Sequence, residues 1–153
     1  MRARSQVKPY DNRTDHERLH SNWRKANGLY RRKDWSASIV RVATSTEIAA
    51  NIFVRAYLVK EHGLPGSFVD SLLISANGID GKVKRLILPA CKATGKWGTT
   101  KRIVKDVERI NQLRNQIAHS GRFMNQEEAN EIFKLGLKVI SVLAPQEANA
   151  LNQ

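Results

Sequence analysis

Apolar positions recur at helical spacing through most of the chain, and the breaks between them carry capping residues, glycine or proline. Leu19, Trp23 and Ala26 lie one turn apart with Arg18, Arg24 and Lys25 on the other side, which predicts a first helix from about Thr14 to Gly28 or slightly beyond. Asp34 is a good N-cap for a second helix. Residues 35 to 62 contain no Gly or Pro, and Gly63 with Pro65 supplies the stop, so this helix is expected to be the longest. Val40, Ala43, Glu47, Ala50, Val54 and Tyr57 form one stripe, while Ile39, Val42, Thr46, Ala49 and Phe53 form its neighbour. Most of the circumference is therefore expected to be buried, with Arg41 and Arg55 on the wet side.

Pro65 can open a third, shorter helix through Phe68, Val69, Leu72, Leu73 and Ala76, closed by Asn77-Gly78. Asp80 is a candidate cap for a fourth, with Val83, Leu86, Ile87 and Cys91, which Pro89 is expected to kink or break. Thr99 or Thr100 can cap a fifth helix with Ile103, Val107, Ile110 and Ile117 on one face, ended by Gly121. Asn125 with Glu128 has the form of a capping box for a last helix through Ile132, Leu135, Val139, Ile140 and Leu143, before Pro145. No strand-like alternation is sustained, and the expected architecture is an all-α, single-domain helical bundle over residues 12–144. A flexible basic arm (1–11) precedes it and a polar tail (145–153) follows.

Composition adds a partner class. The 153 residues hold 26 Lys and Arg against 14 Asp and Glu, a formal charge of +12 whose field favours polyanions. Nucleic acid comes first and a membrane surface second; no stretch reads as apolar enough to span, and the Arg-rich start lacks an apolar signal core, so the expected setting is cytoplasmic. Cys91 is the only cysteine, which excludes an internal disulfide and a cysteine-based metal site within one chain. His16 and His20 are four apart but have no further ligand set, so no metal and no cofactor are expected.

The densest chemistry lies in Leu113-Arg114-Asn115-Gln116-Ile117-Ala118-His119-Ser120-Gly121. Arg114 follows the stripe of Ile103, Val107 and Ile110, so its stem is expected along the core with its guanidinium at the bundle's end. Asn115 and His119 are four apart and share a helix face in the last turns. A fixed cation, an orienting amide and a titratable imidazole together suffice to handle a phosphodiester without metal. Glu47 interrupts an apolar stripe, where a lone carboxylate is costly to bury, and Arg114 is its expected partner. The plainer alternative makes Arg114 half of a structural ion pair and His119 a helix cap.

These residues resemble the motif of HEPN domains (higher eukaryotes and prokaryotes nucleotide-binding), in its Arg-Asn-x-x-Ala-His-x-Gly form. The resemblance extends in layout over roughly residues 15 to 143, through the aromatic entry Tyr30 to Trp35 and the long helix with its internal Glu47. It implies a homodimeric bundle whose motif helices meet, and a metal-independent endoribonuclease of toxin–antitoxin, phage-defence or RNA-processing systems. In that reading His119 is general base or acid on the 2′-hydroxyl, Arg114 stabilises the phosphorane, Asn115 orients, Glu47 supports, and RNA is left with 2′,3′-cyclic phosphate ends while DNA is spared. Family toxins partnered by a nucleotidyltransferase often carry a Tyr two residues after the His; this chain has Gly121 there.

The segment from Lys82 to Lys105 holds Lys82, Lys84, Arg85, Lys92, Lys96, Lys101, Arg102 and Lys105 with no acid, a candidate track for an RNA backbone. Trp97, in its Gly-flanked loop, is either a hydrophobic plug or a base-stacking platform. Arg31-Arg32-Lys33 add charge without evident specificity. Two further classes compete with the endoribonuclease: a non-catalytic module that binds RNA, a nucleotide or a protein, and a helical scaffold whose charge an acidic partner such as an antitoxin neutralises.

Overall fold

The structure, a computed structural model, describes residues 8–152, and within them the chain is an all-α bundle with no strand. Residues 1–7 of the expected arm lie outside the described residues. The rest of it forms a 3₁₀ turn, Tyr10–Asn12, whose tyrosine ring lies under the Arg13 and Arg18 guanidiniums, 5.7 and 5.1 Å from its centre.

Helix α1 (Asp15–Arg31) starts in a reciprocal capping box, in which Thr14 accepts from the Glu17 N–H and Glu17 accepts from the Thr14 N–H. Helix α2 (Trp35–Val54) starts where Asp34 accepts from Ala37 N–H, then continues as a wider π segment, Arg55–Glu61. It is the spine of the protein: α1 and the later helices pack round it, and Ile39, Val42, Ala49 and Ala50 are fully enclosed. Together Trp35–Glu61 are long and apolar enough to cross a membrane by length and composition, contrary to the sequence expectation. The burial explains the apolar character, since 56% of the most apolar window is inside the fold. In the π segment Arg55 is held by Asp15 and, at 3.2 Å, by Asp70 of α3 (Gly66–Ser75).

Helix α4 differs from its expected form. It begins at Gly78–Lys82, one residue after Asn77, rather than from a cap at Asp80, and Pro89 does not break it. The turn before the proline widens to a π segment, Val83–Ile87, and Leu88–Ala93 continues as α-helix. Proline lacks an N–H and clashes with the carbonyl four residues back, and a local π turn moves that carbonyl aside. The expected fifth helix is two elements, α5 (Trp97–Lys101) and α6 (Val104–Ser120), separated by a turn at Arg102 and buried Ile103. Thr100 is buried and bonds back to Trp97 O rather than capping.

Gly121, at φ +61°, ends α6 in the left-handed cap, with Arg122 N–H returning to Gln116 O at 3.3 Å. Helix α7 (Gln126–Leu143) opens with the Asn125–Glu128 capping box and presses on α2 through Gly136, where a Cβ would overlap Val42 Cγ1. Part of the expected polar tail folds as α8 (Pro145–Leu151), with Ala148 buried and Glu147 hydrogen-bonded to both His16 and His20. The two histidines thus meet a carboxylate from the far end of the chain.

Candidate functional site

On α6 the residues facing the core are Val107, Ile110 and Leu113. Leu113, not Arg114, takes the next place in the apolar stripe; at about 100° per residue the following position swings out, so Arg114 is exposed rather than laid along the core. It opens into a cleft of about 690 Å³ between α6, α4 and the flank of α2. Asn111, Arg114 and Asn115 line it from α6, Asp80, Lys84 and Arg85 from α4, and Glu47 from α2. Behind it lies a cavity of about 50 Å³ that Glu47, Asn111 and Arg114 also line.

The expected Glu47–Arg114 ion pair is not formed. Glu47 instead accepts from Lys82 Nζ at 3.1 Å, and Arg114 donates to Asn115 Oδ1 at 3.3 Å. Lys82 prevails because it projects from the buried side of α4, where its ammonium also donates to Ala76 O at 3.1 Å and Leu73 O at 3.3 Å, the open carbonyls at the end of α3. The residue expected to touch RNA is therefore 5% exposed and structural. Glu47 and Arg114 nonetheless share the cleft.

Other parts of the basic run are neutralised by acids from elsewhere in the fold. Lys84 pairs at 3.0 Å with both Asp80 and Glu108, which hold its pKa above the ordinary lysine value, and Lys96 pairs with Glu61 at 3.2 Å, with the same effect. Among the described residues Arg85, Lys92, Lys101, Arg102 and Lys105 have no ion-pair partner and are exposed. Trp97 is half-buried, with the Lys92 and Lys101 ammoniums 5.6 and 5.8 Å from its ring centre, so cations of its own chain already occupy its surroundings.

After these pairings the cleft keeps two guanidiniums, Arg85 and Arg114, with no carboxylate partner among the described residues, and two amides, Asn111 and Asn115. His119 is exposed in the last turn of α6 and does not line the cleft; it follows Asn115 by one turn, about 6 Å along the axis. The arrangement can take an anion at the two arginines, with the His119 imidazole outside the cleft. No cluster of three or more His, Cys, Asp or Glu suited to a metal ion occurs among the described residues. The Asn111 contribution went unnoticed in the sequence, although its spacing of three and four residues from Arg114 and Asn115 places it on their face.

The chain matches no protein-family model, no curated protein and no solved structure. What the fold defines is an all-α bundle with an arginine-bearing cleft.

Proposed function

We propose that the chain is a HEPN-type, metal-independent endoribonuclease that works as a homodimer in the cytoplasm, in the manner of a toxin or defence ribonuclease. The observation that carries this reading is the pair of guanidiniums, Arg85 and Arg114, left without carboxylates in one cleft while His119 follows Arg114 by five residues on the same helix. Arg114 binds the scissile phosphate and meets the charge that grows on its oxygens. His119 takes the proton of the ribose 2′-hydroxyl, whose oxygen bonds to phosphorus as the bond to the 5′-oxygen breaks; the leaving oxygen takes a proton from a second acid, the partner copy's imidazole or water. The products are a 2′,3′-cyclic phosphate and a 5′-hydroxyl, and DNA, lacking the 2′-hydroxyl, is spared.

Purified protein incubated with mixed RNA in EDTA is expected to produce cyclic-phosphate ends, and His119→Ala to slow this by about 10²–10⁴-fold. Absence of cleavage, or cleavage unchanged in that variant, refutes the reading. One observation favours a second reading, binding without cleavage: His119 does not line the cleft that holds Arg114. In that case RNA is bound with strong salt dependence and stays intact.

A further inference from the structure

Cations without a carboxylate partner among the described residues are not confined to the segment from Lys82 to Lys105; a second group lies around α1. A hollow of about 520 Å³ between the end of α1 and the start of α2 is lined by Lys25, Gly28, Leu29, Arg31, Arg32 and Arg41, with no acidic residue in its wall. None of its four cations pairs with a carboxylate among the described residues. The floor is built: Arg41 donates to Asn22 Oδ1 at 3.0 Å, and Asn22, 1% exposed, is itself fixed by donating to Arg18 O at 2.9 Å and Tyr10 Oη at 3.3 Å. The guanidinium is thus oriented by a buried neutral amide that leaves its charge unspent, and Lys25, Arg31 and Arg32 stand exposed on the rim. Lys25 also lines a second hollow of about 630 Å³ along α1, with Arg13, Arg24, His16 and His20; its one carboxylate, Glu17, is taken by Lys8.

We propose that this basic groove along α1, centred on Arg41, binds the phosphate backbone of a nucleic-acid strand at a second site apart from the Arg114 cleft. Concavity, arginine forks and the lack of acid suit consecutive phosphates. A lipid surface fits less well, because the exposed large apolar residues, Tyr10, Phe68, Ile74 and Phe123, do not line the hollow, whereas interfacial binding uses such side chains beside the cations. The identity of the strand as RNA rests on the endoribonuclease reading; the groove itself does not.

The test is fluorescence anisotropy of a non-cleavable 2′-O-methyl RNA oligonucleotide across a KCl titration. It compares wild type, the groove variant Lys25→Gln/Arg31→Gln/Arg32→Gln and a charge-matched control, Lys60→Gln/Lys134→Gln/Lys138→Gln, all at exposed positions. The groove variant is expected to weaken binding by about tenfold or more and to reduce the salt slope by about 2, at about 0.7 per phosphate contact. The control should change affinity by less than about threefold. Equal losses in the two variants overturn the proposal in favour of diffuse charge. Loss of anionic-vesicle binding with RNA binding intact overturns it in favour of a lipid surface. Cleavage that depends on His119 with no change of binding in the groove variant sinks the groove and leaves the nuclease; groove-dependent binding without cleavage does the reverse. No RNA binding by wild type sinks both.

Discussion

Replacing Lys82 by Met separates a structural cation from a nucleic-acid contact. The side chain is 6% exposed and its ammonium spends its hydrogen bonds on Glu47, Leu73 O and Ala76 O. Methionine restores most of the stem but none of the bonds. Breaking a fully buried ion pair from one side costs about 3–5 kcal/mol. Here the Glu47 side chain is 36% exposed and rehydrates, which lowers that figure, while the two carbonyls lose a charged donor at about 1 kcal/mol each. The balance is about 2 kcal/mol, and for a chain of this size about 2–4 °C per kcal/mol gives a fall in Tm of about 4–8 °C. Thermal unfolding followed by circular dichroism measures it. The same protein, below its Tm, should keep the wild-type salt slope for RNA binding, since Lys82 reaches no external phosphate. An unchanged Tm together with a slope reduced by about 0.7 would refute the assignment and return Lys82 to the binding surface.

Gly136→Ala is expected to destabilise by about 1–3 kcal/mol despite alanine's better helix propensity, because the new Cβ overlaps Val42 Cγ1; Val42→Ala in the same chain should relieve part of that loss in a urea double-mutant cycle. The Arg109 guanidinium, bonded at 2.8 and 3.0 Å to both Glu131 oxygens, holds that carboxyl below its ordinary value. The depressed pKa stabilises the fold above the unfolded-state value, and the gain disappears as pH falls through the folded value. Glu131→Gln should therefore cost under about 1 kcal/mol at neutral pH, the pair being partly exposed, and flatten the acid limb of the stability profile; an unchanged acid limb contradicts this. Burial pushes the Cys91 thiol up, so iodoacetamide should label native protein far more slowly than urea-unfolded protein, and equal rates would show that the site is open.

The features that sequence pattern conveyed well are those decided within a few residues. Asp34, Asn125 with Glu128, and Gly121 all sit where their local chemistry places them. Pro89 misleads because its penalty assumes α geometry throughout, and the π turn before it removes the clash. The end of the chain misleads because α8 is held by tertiary contacts, Ala148 in the core and Glu147 on two histidines, with little apolar periodicity of its own. At the site the error has one origin. Which cation meets Glu47 depends on the depth at which α4 passes α2, a tertiary quantity, and helical phase alone cannot rank Lys82 against Arg114. A one-position slip in the stripe of α6, Leu113 for Arg114, then turned a predicted core pair into an exposed cleft residue. That same slip leaves Arg114 more available to a ligand than the sequence pattern implied.

Helix α2 ties the two basic features together and sets how they can cooperate. Arg41 and Glu47 are six residues apart, which places them about 9 Å apart along the axis and about 120° apart around it. The α1 groove and the Arg114 cleft therefore open on different faces of one rigid, buried helix. On the proposed reading a short oligonucleotide occupies the cleft or the groove but not both, whereas a longer strand can hold the groove while another of its phosphodiesters enters the cleft. Tethering of that kind raises local concentration at the cleft without adding a contact there. The same separation decouples the tasks chemically. If both proposals hold, loss of groove charge is expected to weaken capture of long strands, and loss of Arg114 or His119 to slow cleavage of the phosphodiester.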